Sequence, residues 1–319
     1  MSVELGEWLN LLEVEYLKDY VREGGSATKF VVLNDPGTVL RLLSDTRQRA
    51  EGAGYLVASI DAAVVKVQLL HQLFHSVARQ IPWEVLSRNV VQRAYQEAGM
   101  KIHGSDLRID AVAASNGVAP QFLRSEMRRA LEAVLNRRSD MSKDFRYAML
   151  WLCLQQIAPL PGNDAESLLQ WLKGDLRLIS TLKRLLIFHK IDRHNARAML
   201  SSLAAWCRMG GYSGLLLQLD LRQLAVPRRQ ETDPDTVFYG TPALMDAFEV
   251  LRQLIDSTDD LPGMLTLVVM PDELIHDEKR GVKVYKALYE RIWPDVRLKQ
   301  RANPLSALAD LQPVPMEVA

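Results

Sequence analysis

Lys29-Phe30-Val31-Val32-Leu33-Asn34-Asp35-Pro36-Gly37-Thr38 is a short apolar, β-prone run stopped by a dense turn signal. From Thr38 the pattern turns helical. Val39, Leu42 and Leu43 keep one side, Arg47 and Arg49 the other, and Gly52 and Gly54 close the helix. A second apolar run follows, Tyr55-Leu56-Val57-Ala58-Ser59-Ile60-Asp61. Strand, turn, helix and strand within about 35 residues is the βαβ pattern of a parallel sheet. Upstream, Trp8, Leu11, Leu12, Glu15 and Tyr16 hold helical spacing, which Tyr20 continues until Gly24-Gly25. Downstream, from about Val64 to Gly210, apolar residues recur at helical spacing, predicting roughly six to eight helices. Strands then return at Gly214–Asp220 and Met264–Met270. Between them Pro227–Tyr239 reads as a loop, and a helix starts at Thr241-Pro242, with Thr as cap. A final helix is predicted from about Arg280 to Ile292, and the tail after Pro313 reads as loose. The predicted architecture is an α/β sheet domain, 1–65 with 211–319, split by a helical insertion, 66–210.

Composition bounds the function. The 319 residues are 48% apolar and 24% charged, which excludes disorder for the whole chain. Lys plus Arg and Asp plus Glu are both 39, so a histone-like protein is excluded while local basic faces are not. Two cysteines, Cys153 and Cys207, exclude a disulfide scaffold and fit a reducing cytoplasm, the expected compartment. No apolar run reaches the ~18 residues of a membrane span. The first ten residues carry Glu4 and Glu7 and no basic start, so no secretory signal is expected.

The opening stretch lies where a phosphate-binding loop would sit. That motif, Gly-x-x-x-x-Gly-Lys-Ser/Thr, uses glycines to let backbone amides approach phosphates and a lysine to bridge them. Here Asp35, Gly37 and Thr38 remain as candidate nucleotide-binding positions. Pro36 removes an amide, and no lysine lies between Lys29 and Lys66. Taken alone, these residues read first as an ordinary strand-to-helix turn. Leu215–Asp220, an apolar strand ending in an acid, has the form that presents one carboxylate to a metal. The next residue is Leu221, where a hydrolysing enzyme carries a water-orienting Glu. His71 and His75 stand at i, i+4 but lack a metalloprotease Glu, and no metal is assigned. No catalytic residue is assigned either. Two basic segments remain. Arg177–Arg197 holds six Lys or Arg (Arg177, Lys183, Arg184, Lys190, Arg193 and Arg197) against Asp192, net +5. Lys279–Arg301 holds eight, among them Lys279, Arg280 and Lys283, against Glu290 and Asp295, net +6. Such faces attract phosphate backbones or an acidic partner, or simply stay solvated.

An ordered set of segments carries a resemblance. Lys29–Val32 and Leu40–Leu43 flank the loop. Leu169-Gln170-Trp171-Leu172-Lys173-Gly174-Asp175 and Ile191–Leu200 follow, then Gly211–Asp220, Ala247–Asp256, Arg280–Leu288 and Asn303-Pro304-Leu305. In these the chain resembles the ATP-binding proteins of BREX-type phage-defence systems, in particular the BrxD-like group. The resemblance implies a P-loop NTPase-like, AAA+-type parallel sheet interrupted by a helical insertion. It also implies a helicase-like or other defence-system partner. The family's loop resembles Gly-x-x-Gly-x-Gly-Lys-Ser/Thr; here it is about three residues shorter and the lysine is gone. The family's Asp-Glu is Asp220-Leu221 here. The two departures together point to a pseudo-ATPase accessory subunit without cofactor, working through its partner and DNA. Two alternatives stay open: an active ATPase holding Mg-ATP weakly, with Thr38 and Asp220 on the metal and Arg41 in place of the lysine, or a nucleic-acid-binding regulator. Homo-oligomerisation also stays open.

Overall fold

The computed structural model describes residues 3–229, 233–293 and 306–312. Proximity of Cα atoms divides the chain into two units, 1–77 with 213–319 and 78–212. Among the described residues the first unit holds a sheet of six strands, all parallel: β1 (Val3–Glu4), β2 (Ala27–Val32), β3 (Tyr55–Asp61), β4 (Gly214–Asp220), β5 (Met264–Met270) and β6 (Leu308–Gln312). Their spatial order is β1-β6-β2-β5-β4-β3. Every residue of β4 and β5 is buried, which is why both read as continuous apolar runs rather than alternating ones. The four apolar strands β2, β3, β4 and β5 lie where the sequence places them. β1 and β6 are additions, and β6 makes ordered sheet of part of the segment leading to Pro313.

Helix α1 (Leu5–Leu11) continues into a wider π-type stretch, Leu12–Tyr20, and α2 (Pro36–Gly52) follows β2. Leu5, Trp8, Leu12, Val39 and Leu42 of these helices bury themselves with Val31, Leu216, Leu267 and Leu311 of the sheet. Gln218, 1% exposed in β4, ties this layer to the strands. Its Nε2 donates to Leu43 O at 2.8 Å, its Oε1 accepts from Ser59 Oγ at 2.6 Å, and Arg47 Nη2 donates to Ser59 Oγ at 2.9 Å. Helix α3 (Leu70–Ala78) ends at the boundary between the units.

The second unit is helical: α4 (Trp83–Glu97), α5 (Ile109–Asn116), α6 (Pro120–Asn136), α7 (Lys143–Ile157), α8 (Asp164–Lys173), a 3₁₀ segment Ile179–Leu185, and α9 (Ala196–Met209). Trp83, Leu86, Phe145, Met149, Trp171 and Leu203 are buried in it. Gly210 closes α9 against α4, where a Cβ would lie 2.2 Å from Leu86 Cδ2.

The chain then completes the sheet unit with α10 (Thr241–Asp256), α11 (Asp272–His276) and α12 (Lys286–Ile292). Gly240, not Thr241, is the N-cap of α10, and Thr241 is already helical. The last helix starts at Lys286, not Arg280. Asp277 Oδ1 accepts from the amides of Lys279 and Arg280 at 2.7 and 2.9 Å. At Gly281 a Cβ would sit 2.4 Å from Asp277 O, so the chain turns there before a short 3₁₀ stretch, Val282–Val284. Among the described residues no helix is long and apolar enough to cross a membrane.

Crossover direction sets where a ligand has room. The β2–α2–β3 connection runs toward the β3 edge, whereas β4–α10–β5 runs back. Right-handed crossovers therefore put α2 and α10 on opposite faces. Beyond β5 the chain continues in that same backward sense to β6, passing over β2. The carboxyl ends of β2 and β5 are thus a topological switch point, the crevice where open α/β sheets bind ligands.

Candidate functional site

The β2–α2 loop stands at that switch point and is closed by its own side chains. Asp35 is the N-cap of α2, and its Oδ2 accepts from Thr38 N and from Thr38 Oγ1, both at 2.7 Å. These bonds, first that from the Thr38 hydroxyl, hold the Asp35 carboxyl below the usual carboxylate range. Pro36 at the first helical turn offers no amide. A Cβ on Gly37 would lie 3.3 Å from Asp35 Oδ2, so the glycine leaves room for the cap. Helix N-termini bind anions; here the anion is the protein's own carboxylate. Asn34 Oδ1 accepts from Asp272 N at 2.8 Å and so ties the end of β2 to the start of α11.

Asp220 ends β4, in register with Asp61 of β3 and Val269 of β5. Both β2 and β4 neighbour β5, so Asp220 and the β2–α2 loop are two strands, roughly 10 Å, apart along the same edge. Its carboxylate is already engaged. Arg222 Nε reaches Oδ1 at 3.0 Å, Arg222 Nη2 reaches Oδ2 at 2.6 Å, and the Arg222 amide donates to Oδ1 at 3.1 Å. This fork-to-fork pair, with Asp61 adding to it, raises the Arg222 guanidinium above its ordinary value. Leu221 is fully buried and its amide bonds Val269 O, so position 221 presents no side chain to the crevice. Arg41 is exposed on α2 and pairs with Asp45 at 3.6 Å. Among the described residues no three His, Cys, Asp or Glu side chains are placed to hold a metal ion. The His71 and His75 rings meet edge-on, with centroids 6.3 Å apart. Arg222 and Asn34 carry none of the candidate roles read from the sequence; an arginine two residues after a strand-ending aspartate is the signal that points to the first.

The basic residues divide by what they touch. Arg184 pairs with the nearly buried Asp164, with Nε 3.0 Å from Oδ1. Lys190 Nζ donates to Arg177 O at 2.9 Å, and Arg193 Nε to His194 Nε2 at 3.2 Å. Lys183, Arg193 and Arg197 are exposed. In the other segment Arg280 Nη2 donates to the carbonyls of Leu224, Val226 and Tyr239, which makes it a strut between loops. Lys279 and Lys283 are exposed. Arg297, Lys299 and Arg301 lie outside the described residues.

A family model, the BREX system ATP-binding protein BrxC/D, matches residues 105–317, two thirds of the chain. The chain belongs to this BREX family. No curated protein and no solved structure matches it. The BrxC/D match takes in Asp220, Arg222 and strands β4, β5 and β6. The β2–α2 loop, with Asp35, Gly37 and Thr38, precedes the matched range. BREX membership makes the protein a component of a phage-defence system and implies partners within it.

Proposed function

We propose that this BrxC/D-family chain is a catalytically degenerate, P-loop-like ATPase subunit that serves its phage-defence system through a helicase-like partner. One observation carries the reading: the groups that would meet a nucleotide and its metal are spent on each other. Asp35 fills the anion site of α2 and takes the Thr38 hydroxyl that a Mg²⁺ would need. Arg222 takes both oxygens of Asp220. No lysine follows Lys29 until Lys66. The parallel sheet, its switch point at the β2–α2 loop and the family's ATP-binding description support a nucleotide-binding ancestry. The Asp220–Arg222 pair supports loss of that role, because a metal would have to displace a bidentate guanidinium. A DNA contact through the exposed Lys279 and Lys283, with Lys183 and Arg193 left to the partner, belongs to the same proposal.

Isothermal titration of the full chain with Mg-ATP is the test. The expected affinity is no tighter than about millimolar, near 4 kcal/mol of binding. A micromolar dissociation constant would overturn the reading and restore a working ATPase.

A further inference from the structure

Two indoles bracket one stretch of the helical unit. Trp151 Nε1 donates to Leu185 O at 3.0 Å, and Trp171 Nε1 donates to His189 O at 2.8 Å. Between those carbonyls Ile187 is fully buried, whereas Leu186 and Phe188 are 45% and 46% exposed. Leu178, 65% exposed, stands near the start of the same loop. The loop is closed by the bond from Lys190 Nζ to Arg177 O and braced by Arg184 on Asp164. Leu186 adopts φ 63°, ψ 28°, and among the described residues it alone has positive φ without being a glycine. This left-handed position past a helical turn is one that glycine fills without strain and leucine does not. The strain is held by the bonded frame on either side, and its result is an apolar side chain presented to solvent.

Basic side chains share the segment with these apolar groups. Arg177, Lys183 and Arg193 are exposed, within a segment of net charge +5. Of the three exposed apolar groups only Phe188 offers a face on which a base stacks, whereas Leu178 and Leu186 offer none, which favours protein over nucleic acid. The frame is fixed before any partner arrives, so docking needs little further ordering of it.

We propose that this loop, with Leu178, Leu186 and Phe188 as knobs among basic side chains, is a docking surface for a protein partner presenting an apolar groove edged by carboxylates. The proposal rests on the reading that the chain works through another component of its BREX system. The test uses the full chain as wild type, L186G, the double variant L186S/F188S and the charge reversal K183E/R193E. The probes are each protein encoded with it in the same BREX system, purified singly, and a single-stranded DNA oligonucleotide.

Wild type is expected to bind one of those proteins, less tightly as salt rises. L186S/F188S and K183E/R193E should each bind it at least about tenfold more weakly. L186G should melt no lower than wild type yet bind more weakly, separating docking from folding. Unchanged affinity of L186S/F188S, absence of any protein binder, or binding of the oligonucleotide alone overturns the docking surface. Those outcomes leave the degenerate nucleotide site standing, whereas a micromolar Mg-ATP affinity overturns that site and not the docking loop.

Discussion

Burying a lysine in a central strand sets solvation against packing, and Lys29 shows the outcome. It is 6% exposed in β2, with Nζ 2.6 Å from Tyr16 Oη and 4.1 Å from the centre of that ring. Nζ also lies 3.4 Å from Ser306 O, yet these neutral partners compensate only partly for lost water, and burial pulls the ammonium down from 10.5 to about 8. Between those two values the unfolded chain holds a proton that the folded chain has released. Stability therefore rises with pH across that window, and below it the penalty is fully present. A shift of this size corresponds to at most about 3 kcal/mol. Lys29→Met removes the titration. Its stability relative to wild type, from urea unfolding, should be at least about 1 kcal/mol better at pH 7.5 than at pH 9.5. An identical difference at both pH values would mean that Lys29 is solvated as an ordinary surface amine.

At the scale of elements, Gln218 adds a polar tie between α2 and the sheet to the apolar packing of Val39 and Leu42. Gln218→Leu keeps the volume but removes the side-chain bonds to Leu43 O and Ser59 Oγ from a buried position. The expected cost is about 1–3 kcal/mol in urea unfolding at constant m. A loss under about half a kcal/mol would show that water replaces the amide. Legibility follows the same physics. β4 and β5, buried at every residue, are legible as unbroken apolar runs, and β2 and the edge strand β3 as β-prone runs bounded by turn signals. β6 is not. Ala309 and Leu311 are buried while Leu308 and Asp310 are not, so five residues between prolines carry only a short alternation. The last helix begins later than the sequence predicts, because Asp277 and Gly281 impose a turn that acts through backbone atoms and leaves no mark in side-chain periodicity. At the edge of the sheet Asp35, Gly37, Thr38 and Asp220 stood out by position. The bidentate Arg222 is marked only by its place two residues after a strand-ending aspartate, a spacing that leaves no periodic trace.

For the whole molecule the sheet depends on its last strand. β6 pairs with β1 through Val3↔Leu311 and with β2 through Phe30↔Leu308, and it is the neighbour both share. A chain ended at Trp293 loses both ladders and the burial of Ala309 and Leu311. Its sheet unit should unfold at lower urea than the full chain's. The helical signal of 78–212 should persist to higher denaturant, giving two transitions by circular dichroism. A single transition at the full chain's midpoint would show that β6 contributes nothing to closure.

The place of β6 also has a history within each molecule's making. A ribosome delivers β1 and β2 close together and the strand that belongs between them roughly 275 residues later. Throughout that interval the nascent sheet carries an unfilled slot lined by unpaired amides and carbonyls. On a crowded messenger, the finished β6 of a leading copy competes for the slot of the one behind. The interleaving that seals the mature sheet is therefore also the point at which two growing chains can exchange strands.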